Sequence, residues 1–562
     1  MVFMSNTLAN IKFRELLLPT ILIAMALNIT AIVDSIFVST FIGDVALAAI
    51  EILEPIILLV TVFEWLFGLG GQILSLNRKA EFDEEGSNLY FTVAVLTTVI
   101  VSVLFIIICF IDLNGLITFL HSKPEITPYV QQYAPFLFLC FPISAVLGVL
   151  SQYIRVDGQP NFATAVIIIA NVVNIILNYI FLSHFHMGIT GVSLASFIGY
   201  SVGLLCVLKY YFDSKRTFKF IHSIIPIKKL IKSAVEICKI GFPSASMGLF
   251  DVILVYFMNF LIGGILGANG LVTYSICVES LLIISILIIG IADTLTSIIP
   301  VYYSQDDYRT VNSLIQRSVI YALLCAVIFT VFIWITPQTY LTLYNLQNVS
   351  YLPLITNALR IYSLLFIPSV FGTILIFYYE AIERASISTV MSVIVSLVGP
   401  LAISYLLYPI FGVDIIWASF AISCVIAIIV AMIYAKIIER NEPEYKGVYF
   451  IKKGIIENSK TYKLSNINEK SAVLTHLNDL NVDKSESDKI DYIINKLFEE
   501  NDSKFNIEVL IINYDSKIKV NIKDQGKRDI NENIKNEIQD EENLKHTHLL
   551  GFNNLEYTIN KS

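Results

Sequence analysis

Charge is scarce in this chain. Of its 562 residues only 15% are Asp, Glu, Lys or Arg, 56% are hydrophobic, and the mean hydropathy is +0.71, whereas soluble domains carry roughly a quarter charged residues. The scarcity is also uneven: residues 441–562 hold 18 Lys+Arg and 22 Asp+Glu, leaving 20 and 24 for the 440 residues before them. So sharp a break marks a domain boundary at Asn441-Glu442-Pro443. The net charge of −8 divides equally between the two parts, so neither is built for nucleic acid. Paired cysteines are missing too. The seven present form no Cys-x-x-Cys and sit mostly in apolar runs, as small hydrophobes rather than metal ligands or disulfides. A P-loop is absent, which excludes a pump of the ATP-binding-cassette kind. The first apolar run is of full membrane length, so it is expected to stay as an anchor and not to be cleaved as a signal.

What the chain has is long apolar runs, in two similar sets about 224 positions apart. Pro19 opens one run and Pro243 its counterpart; Gly43 answers to Gly267, Pro142 to Pro368 and Gly188 to Gly412. With roughly 20 apolar residues needed per crossing, twelve spans follow: 16–41, 46–76, 89–111, 129–154, 162–182, 188–211, 234–266, 271–301, 313–335, 354–382, 387–408 and 413–438. The fold class is therefore an α-helical polytopic membrane protein of two pseudo-symmetric six-helix lobes, residues 1–212 and 240–440, with a small α/β domain at 441–562. An even number of spans per repeat makes the halves parallel, as in secondary transporters. Loops on the N-terminal side collect nearly all the Lys and Arg, including a cluster from Lys209 to Lys239; the other side has only Lys123 and Arg360. By the positive-inside rule both termini are expected in the cytoplasm of a cell-membrane protein. Segment 213–239 joins the lobes, and its Lys-rich stretch 227–239 reads as an interfacial helix or as a plain basic linker.

Ionisable and amide groups inside spans are costly and point to function. Asp34 lies late in span one. Asn171, Asn174 and Asn178 follow the i, i+3, i+7 spacing of one helix face, and Ser196 is in span six. One carboxylate, amide oxygens and a hydroxyl inside one lobe suit a monovalent cation or a proton, whereas Asn171 alone reads as interhelical glue. Glu51 and Glu54 share a face near the outer end of span two, with Glu64 deeper. Asp251, Tyr256 and Glu279, together with Glu64, could line a cavity offering anionic and aromatic surface to an organic cation; solvated lining with no preferred ligand is the competing reading. Glu380, four residues before Arg384, reads as an ordinary i, i+4 ion pair.

The segment Val33-Asp34-Ser35-Ile36-Phe37-Val38, with Gly43, Ala46-Leu-Ala-Ala49, Pro55 and Gly68-Leu-Gly-Gly71, resembles the opening helices of the multidrug and toxic compound extrusion (MATE) family. Tyr153-Ile-Arg-Val-Asp-Gly-Gln-Pro160, Asn174-Ile-Ile-Leu-Asn178 and Gly188-Ile-Thr-Gly191 extend the likeness, and Gly241-Phe-Pro243-Ser carries it into the second half. The resemblance implies an antiporter that spends an inward Na⁺ or H⁺ gradient to export amphipathic organic cations. Its first-lobe cation site would fall on Asp34, Asn174, Asn178 and Ser196. Many prokaryotic members carry an acid where this chain has Asn178, which leaves the coupling ion open. Two other functions stand beside it. A flippase for a lipid-linked saccharide would favour a cavity of Arg and Lys, which the spans lack. A membrane sensor would have lost transport.

The tail reads as soluble α/β: a helix at 487–500 and a hairpin of strands 505–512 and 516–522. Its order is similar to the histidine-kinase-like, anti-sigma-factor-like ATP-binding fold. That resemblance places Asp524 and Gly526 at adenine and Gly551 over phosphates, while Asn495 and Glu499 stand where a catalytic Glu and an Mg-binding Asn belong. A regulatory module that senses adenine nucleotide or a cytoplasmic partner, without hydrolysis, is the expectation; no enzyme activity and no cofactor besides the coupling ion are expected.

Overall fold

The computed structural model describes residues 7–119, 125–213, 216–221, 225–342, 349–500, 507–525, 534, 538 and 543–561. Helix α1 (Leu8–Phe41) is followed, among these residues, by eleven helices long and apolar enough to cross a membrane. They are α2 (residues 44–80, with Ile56–Ala80 as the crossing part), α3 (Glu84–Ile111), α4 (Thr127–Val156), α5 (Pro160–Ser183), α6 (Ile189–Tyr211), α7 (Ile227–Gly267), α8 (Asn269–Ser304), α9 (Tyr308–Ile335), α10 (Leu352–Ala381), α11 (Ala385–Phe411) and α12 (Asp414–Asn441). Lobe N comprises α1–α6 and lobe C α7–α12.

The repeat seen in sequence is a repeat of backbone. Gly188 (φ 60°, ψ −152°) and Gly412 (φ 73°, ψ −161°) start the sixth helix of each lobe in nearly the same conformation, one that only glycine adopts without strain. Phe82 and Asp306 both turn through positive φ, and each is followed by an aspartate that caps the next helix: Asp83 accepts from Gly86 N at 2.8 Å, Asp307 from Thr310 N at 3.2 Å. The Lys-rich stretch 227–239 is helical and runs unbroken into the crossing part of α7.

Among the described residues, the two lobes share an apolar core on one side of the molecule. Both α1 and α7 start, and α2, α4, α8, α10 and α12 end, on the face that carries the tail. In that half the apolar core is shared by residues of both lobes, among them Leu76, Tyr153, Ile237, Ile298 and Tyr378. In the opposite half lobe N has a core of its own, built on Val38, Leu53, Phe138 and Ile189, to which lobe C contributes nothing among the described residues.

The tail opens with a two-stranded hairpin, β1 (Tyr445–Lys446) and β2 (Ile451–Lys452). It continues with β3 (Ser459–Leu464), α13 (Lys470–Asp479), α14 (Lys484–Glu500), β4 (Ile507–Asn513), β5 (Lys517–Asp524), β6 (Leu544–Leu549) and β7 (Phe552–Asn560). The five longer strands form one antiparallel sheet in the order β3-β4-β5-β7-β6. The two helices cover one face with Val473, Leu477, Ile490, Ile493, Ile494 and Leu497. The other face meets the lobes and carries a cross-strand row, Glu508–Lys523–Asn554–Thr547, in which all four residues are buried. The expected helix and hairpin are present; β3, α13 and the β6–β7 hairpin lie beyond what the sequence reading placed. The tail is thus a small sheet domain, and nothing in its architecture alone confirms a histidine-kinase-like module.

Candidate functional site

The polar residues of lobe N converge as two pairs. Asn178 Nδ2 donates to Asp34 Oδ1 at 2.6 Å, joining α5 to α1, and Asn174 Nδ2 donates to Ser196 Oγ at 2.9 Å, joining α5 to α6. The 3.6-residue period sets this arrangement, since it stacks Asn171, Asn174 and Asn178 along one side of α5. All three amides are buried, and their Oδ1 atoms meet no donor among the described residues. Buried acceptor oxygens without donors are costly for a core and are what a hard monovalent cation requires. The amide nitrogens are spent on Asp34 and Ser196, so the free oxygens cannot be reoriented without losing those bonds. Asn171 is not interhelical glue; its Nδ2 bonds Ile167 O in its own helix at 2.8 Å. The cluster sits in the half of lobe N away from the tail, where among the described residues lobe C adds nothing to the apolar core.

The four expected cavity residues stand on three helices, α2, α7 and α8. Glu64 stands in the π turn Glu64–Leu69 of α2 and accepts from Gln152 Nε2 at 3.4 Å. Asp251 on α7 is exposed and faces Ser396, within a second π turn, Ile394–Val398, of α11. Tyr256 is 68% exposed with its ring edge-on to Phe257, and Glu279 is exposed. Among the described residues no hydrogen bond or ion pair joins any two of the four. The Glu380–Arg384 pair is also absent. Glu380 is fully buried and accepts from Ser244 Oγ, while Arg384 pairs with Glu442 at 2.7 Å and holds that carboxyl below its ordinary range. One helical turn put the two residues in register, but Arg384 lies beyond the end of α10, where its side chain swings to α12. The side chains of Glu51 and Glu54, and all of Gly526, lie outside the described residues.

A polar seam that sequence reasoning missed shuts the tail side. Arg155 at the end of α4 holds Asp293 of α8 through two bonds, 2.6 and 3.2 Å, and also reaches Thr20 Oγ1 at 2.8 Å. Gln72 Nε2 donates to Ser297 Oγ at 3.3 Å, and Asn77 Nδ2 to Glu383 Oε1 at 2.6 Å. Between these bonds the backbones of α2 and α7 touch: a Cβ on Gly241 would stand 2.3 Å from Leu66 O. Only long-range pairing defines these partners, so their only sequence signal was the presence of ionisable residues near helix ends. In the tail, Asp524 ends β5 and accepts from Asn553 Nδ2 at 3.1 Å. Gly551 lies in the β6–β7 turn, pressed against Gly158 of the α4–α5 loop rather than open to a phosphate.

Buried polar pairs inside a two-lobed helical membrane fold suit a transporter, and the family follows from the match to known sequences. The MatE family model matches residues 19–180 and 243–406, one block per lobe. The chain belongs to this family. MATE proteins are secondary transporters rather than enzymes. Multidrug export protein MepA of Staphylococcus haemolyticus (strain JCSC1435) is 22% identical over 318 residues, 56% of this chain and 69% of its own length. A MATE crystal structure in the bent conformation superposes with a TM-score of 0.71 at 19% identity, covering 76% of this chain and 95% of that one. The outward-facing structure of a multidrug-resistance MATE transporter gives 0.69 at 18% identity with the same coverage. These likenesses carry the fold. The family match stops short of the tail.

Proposed function

We propose that this MATE transporter is a cation-coupled antiporter that exports amphipathic organic cations by alternating access. The observation that carries the reading is the pairing of Asp34 with Asn178 and of Asn174 with Ser196, which leaves buried amide oxygens beside a carboxylate. Na⁺ would take those oxygens as ligands, while H⁺ would neutralise Asp34 alone. Either event changes the charge of the lobe N interior by one unit, enough to bias helix packing in a dry site. The state closed on the tail side leaves this cluster on the half away from the tail. With both termini in the cytoplasm, as the loop charges indicate, that half faces outward, where an inward gradient delivers the ion. An acidic, aromatic inventory (Glu64, Asp251, Glu279 and Tyr256) supports cationic cargo, as does the export role named for MepA. The flippase reading is weaker, because Arg155, the cation at the seam, is already neutralised by Asp293.

The tail is read as a regulatory domain. Weak adenine-nucleotide contact through Asp524 remains the narrower form of that reading, and the packing of Gly551 against the lobes speaks against a phosphate-covering role. Transport in inverted vesicles, with Na⁺ and pH gradients imposed separately, tests the main reading. Asp34→Asn keeps the shape and the bond to Asn178 but fixes the charge at zero. It should insert normally and lose gradient-driven export; export at the wild-type rate would place the coupling site elsewhere.

A further inference from the structure

The tail straddles the seam between the lobes. On lobe N, the first helical N–H of α1, at Leu8, donates to Glu508 Oε1 at 2.8 Å in a buried contact. The β6–β7 turn enters the apolar core that both lobes share, through Leu549, Leu550 and Phe552. There a Cβ on Gly158 would stand 2.6 Å from Gly551 Cα, so the two chains touch backbone to backbone. On lobe C, Lys523 Nζ lies 3.9 Å from Asp307 Oδ2 and 4.0 Å from the centre of the Tyr302 ring. Tyr514 OH and Lys452 both donate to Asp306, at 2.6 and 3.1 Å. Glu508 and Lys523 face each other across β4 and β5, so one cross-strand pair grips lobe N with its carboxylate and lobe C with its ammonium.

We propose that the tail is a state-selective clamp: docked, it holds the lobes together on their tail side and slows the transport cycle, and that side opens only when the tail releases lobe N. The inference rests on the alternating-access reading above. A five-stranded sheet cannot stretch, and hydrogen bonds end near 3.5 Å, so lobes that rock apart must break one of the two grips. The lobe C grip is the denser one: it adds Arg309 to Ile456 O at 2.6 Å and the hydroxyls of Tyr303, Tyr378 and Tyr379 to three carbonyls of the β1–β2 hairpin. Lobe C is also joined covalently to the tail through α12. Release therefore falls on the Leu8–Glu508 bond and the Gly158–Gly551 contact. The composition of the seam suits a joint that separates. Asn521, Asn554, Thr547 and Gln305 are buried there with side-chain polar atoms that meet no partner among the described residues, and parting gives those groups to water.

The test uses the full chain in liposomes, with spin labels at Glu84 of lobe N and Lys436 of lobe C, both exposed. Leu550→Asp places a charge in the shared core while tolerating the positive φ of 52° at that turn. Hydrogen exchange should rise at residues 549–552 and at the start of α1 yet stay low at 445–452. A longer label distance should gain population, and efflux of a fluorescent organic cation should rise about fivefold, the low end of ordinary coupling between sites. Glu508→Ala, which removes the acceptor for the Leu8 N–H and spares the core, should move every readout the same way by about twofold, within the range of one hydrogen bond. Freed turn residues with unchanged distances and efflux would show the tail to be a passenger. Lost efflux with the short distance retained would show that the cycle needs the tail, and exchange rising first at 445–452 would put the release on lobe C; each overturns the proposal. The distance and exchange readouts hold even if the cargo or coupling ion is other than proposed.

Discussion

Arg155 pays for its place at the seam with a bidentate bond. Its side chain is 5% exposed and that of Asp293 is 21%, so each charge depends on the other. Arg155→Ala leaves a carboxylate without its cation and should destabilise the protein by about 3–5 kcal/mol, the usual result of breaking a buried pair on one side. The double variant Arg155→Met, Asp293→Met removes both charges and should lie within about 1 kcal/mol of wild type on the same principle. Thermal unfolding in detergent distinguishes the two; equal losses would show that the pair is not coupled. Glu508 makes a pH prediction. Burial raises its carboxyl above the ordinary value of 4.5, so the docked tail binds that proton more tightly than the undocked one. Docking is then strongest below that value and weakens as pH rises through the raised range. Burial lowers the Lys523 ammonium below its ordinary 10.5, so docking regains strength between that lowered value and 10.5. Hydrogen exchange at Leu549–Phe552 across pH 4 to 7 should show the first trend, and Glu508→Gln should flatten it.

Glycines at element ends are the next scale. Gly188 and Gly412 each sit in a conformation closed to other residues, with nothing within 4 Å of where a Cβ would stand. Their replacement therefore carries a backbone cost alone. Gly188→Ala and Gly412→Ala should each lower stability by about 1–3 kcal/mol, to similar extents because the backbones match, and a thermal melt of each variant measures it. These glycines were legible in the sequence because a turn that needs positive φ leaves a residue-type signature. So were the helix lengths and the Asn stripe of α5, which follow from periodicity along a single segment. The seam was not legible. Whether Arg384 turns to Glu380 or to Glu442, and whether Arg155 finds Asp293, depends on which helix end lies alongside, and no local spacing encodes that. The β6–β7 hairpin escaped notice for a related reason. Its polar residues, Thr547 and Asn554 among them, mimic a solvated loop, yet the lobes cover them.

At the scale of the molecule, closure rests on α2 and α7 touching through Gly70 and Gly241. A side chain at either position has no room: the built Cβ atoms lie 2.4 Å from Ile237 O and 2.3 Å from Leu66 O. Gly241→Ala should pry the tail side open, so a distance between labels on α3 and α12 should shift toward its longer population and the tail should lose protection. An unchanged distribution would mean that closure is set by the polar bonds instead. The join between α12 and the tail carries a further consequence. The helix ends at Asn441 and β1 begins at Tyr445, so the leash between them is three residues long. A module held that close is present at its own docking face at an effective concentration in the millimolar range or above. Its intrinsic affinity can therefore be feeble while its occupancy stays high. A free copy of the same domain, supplied in trans at micromolar levels, would neither displace the tethered one nor replace it once cut away.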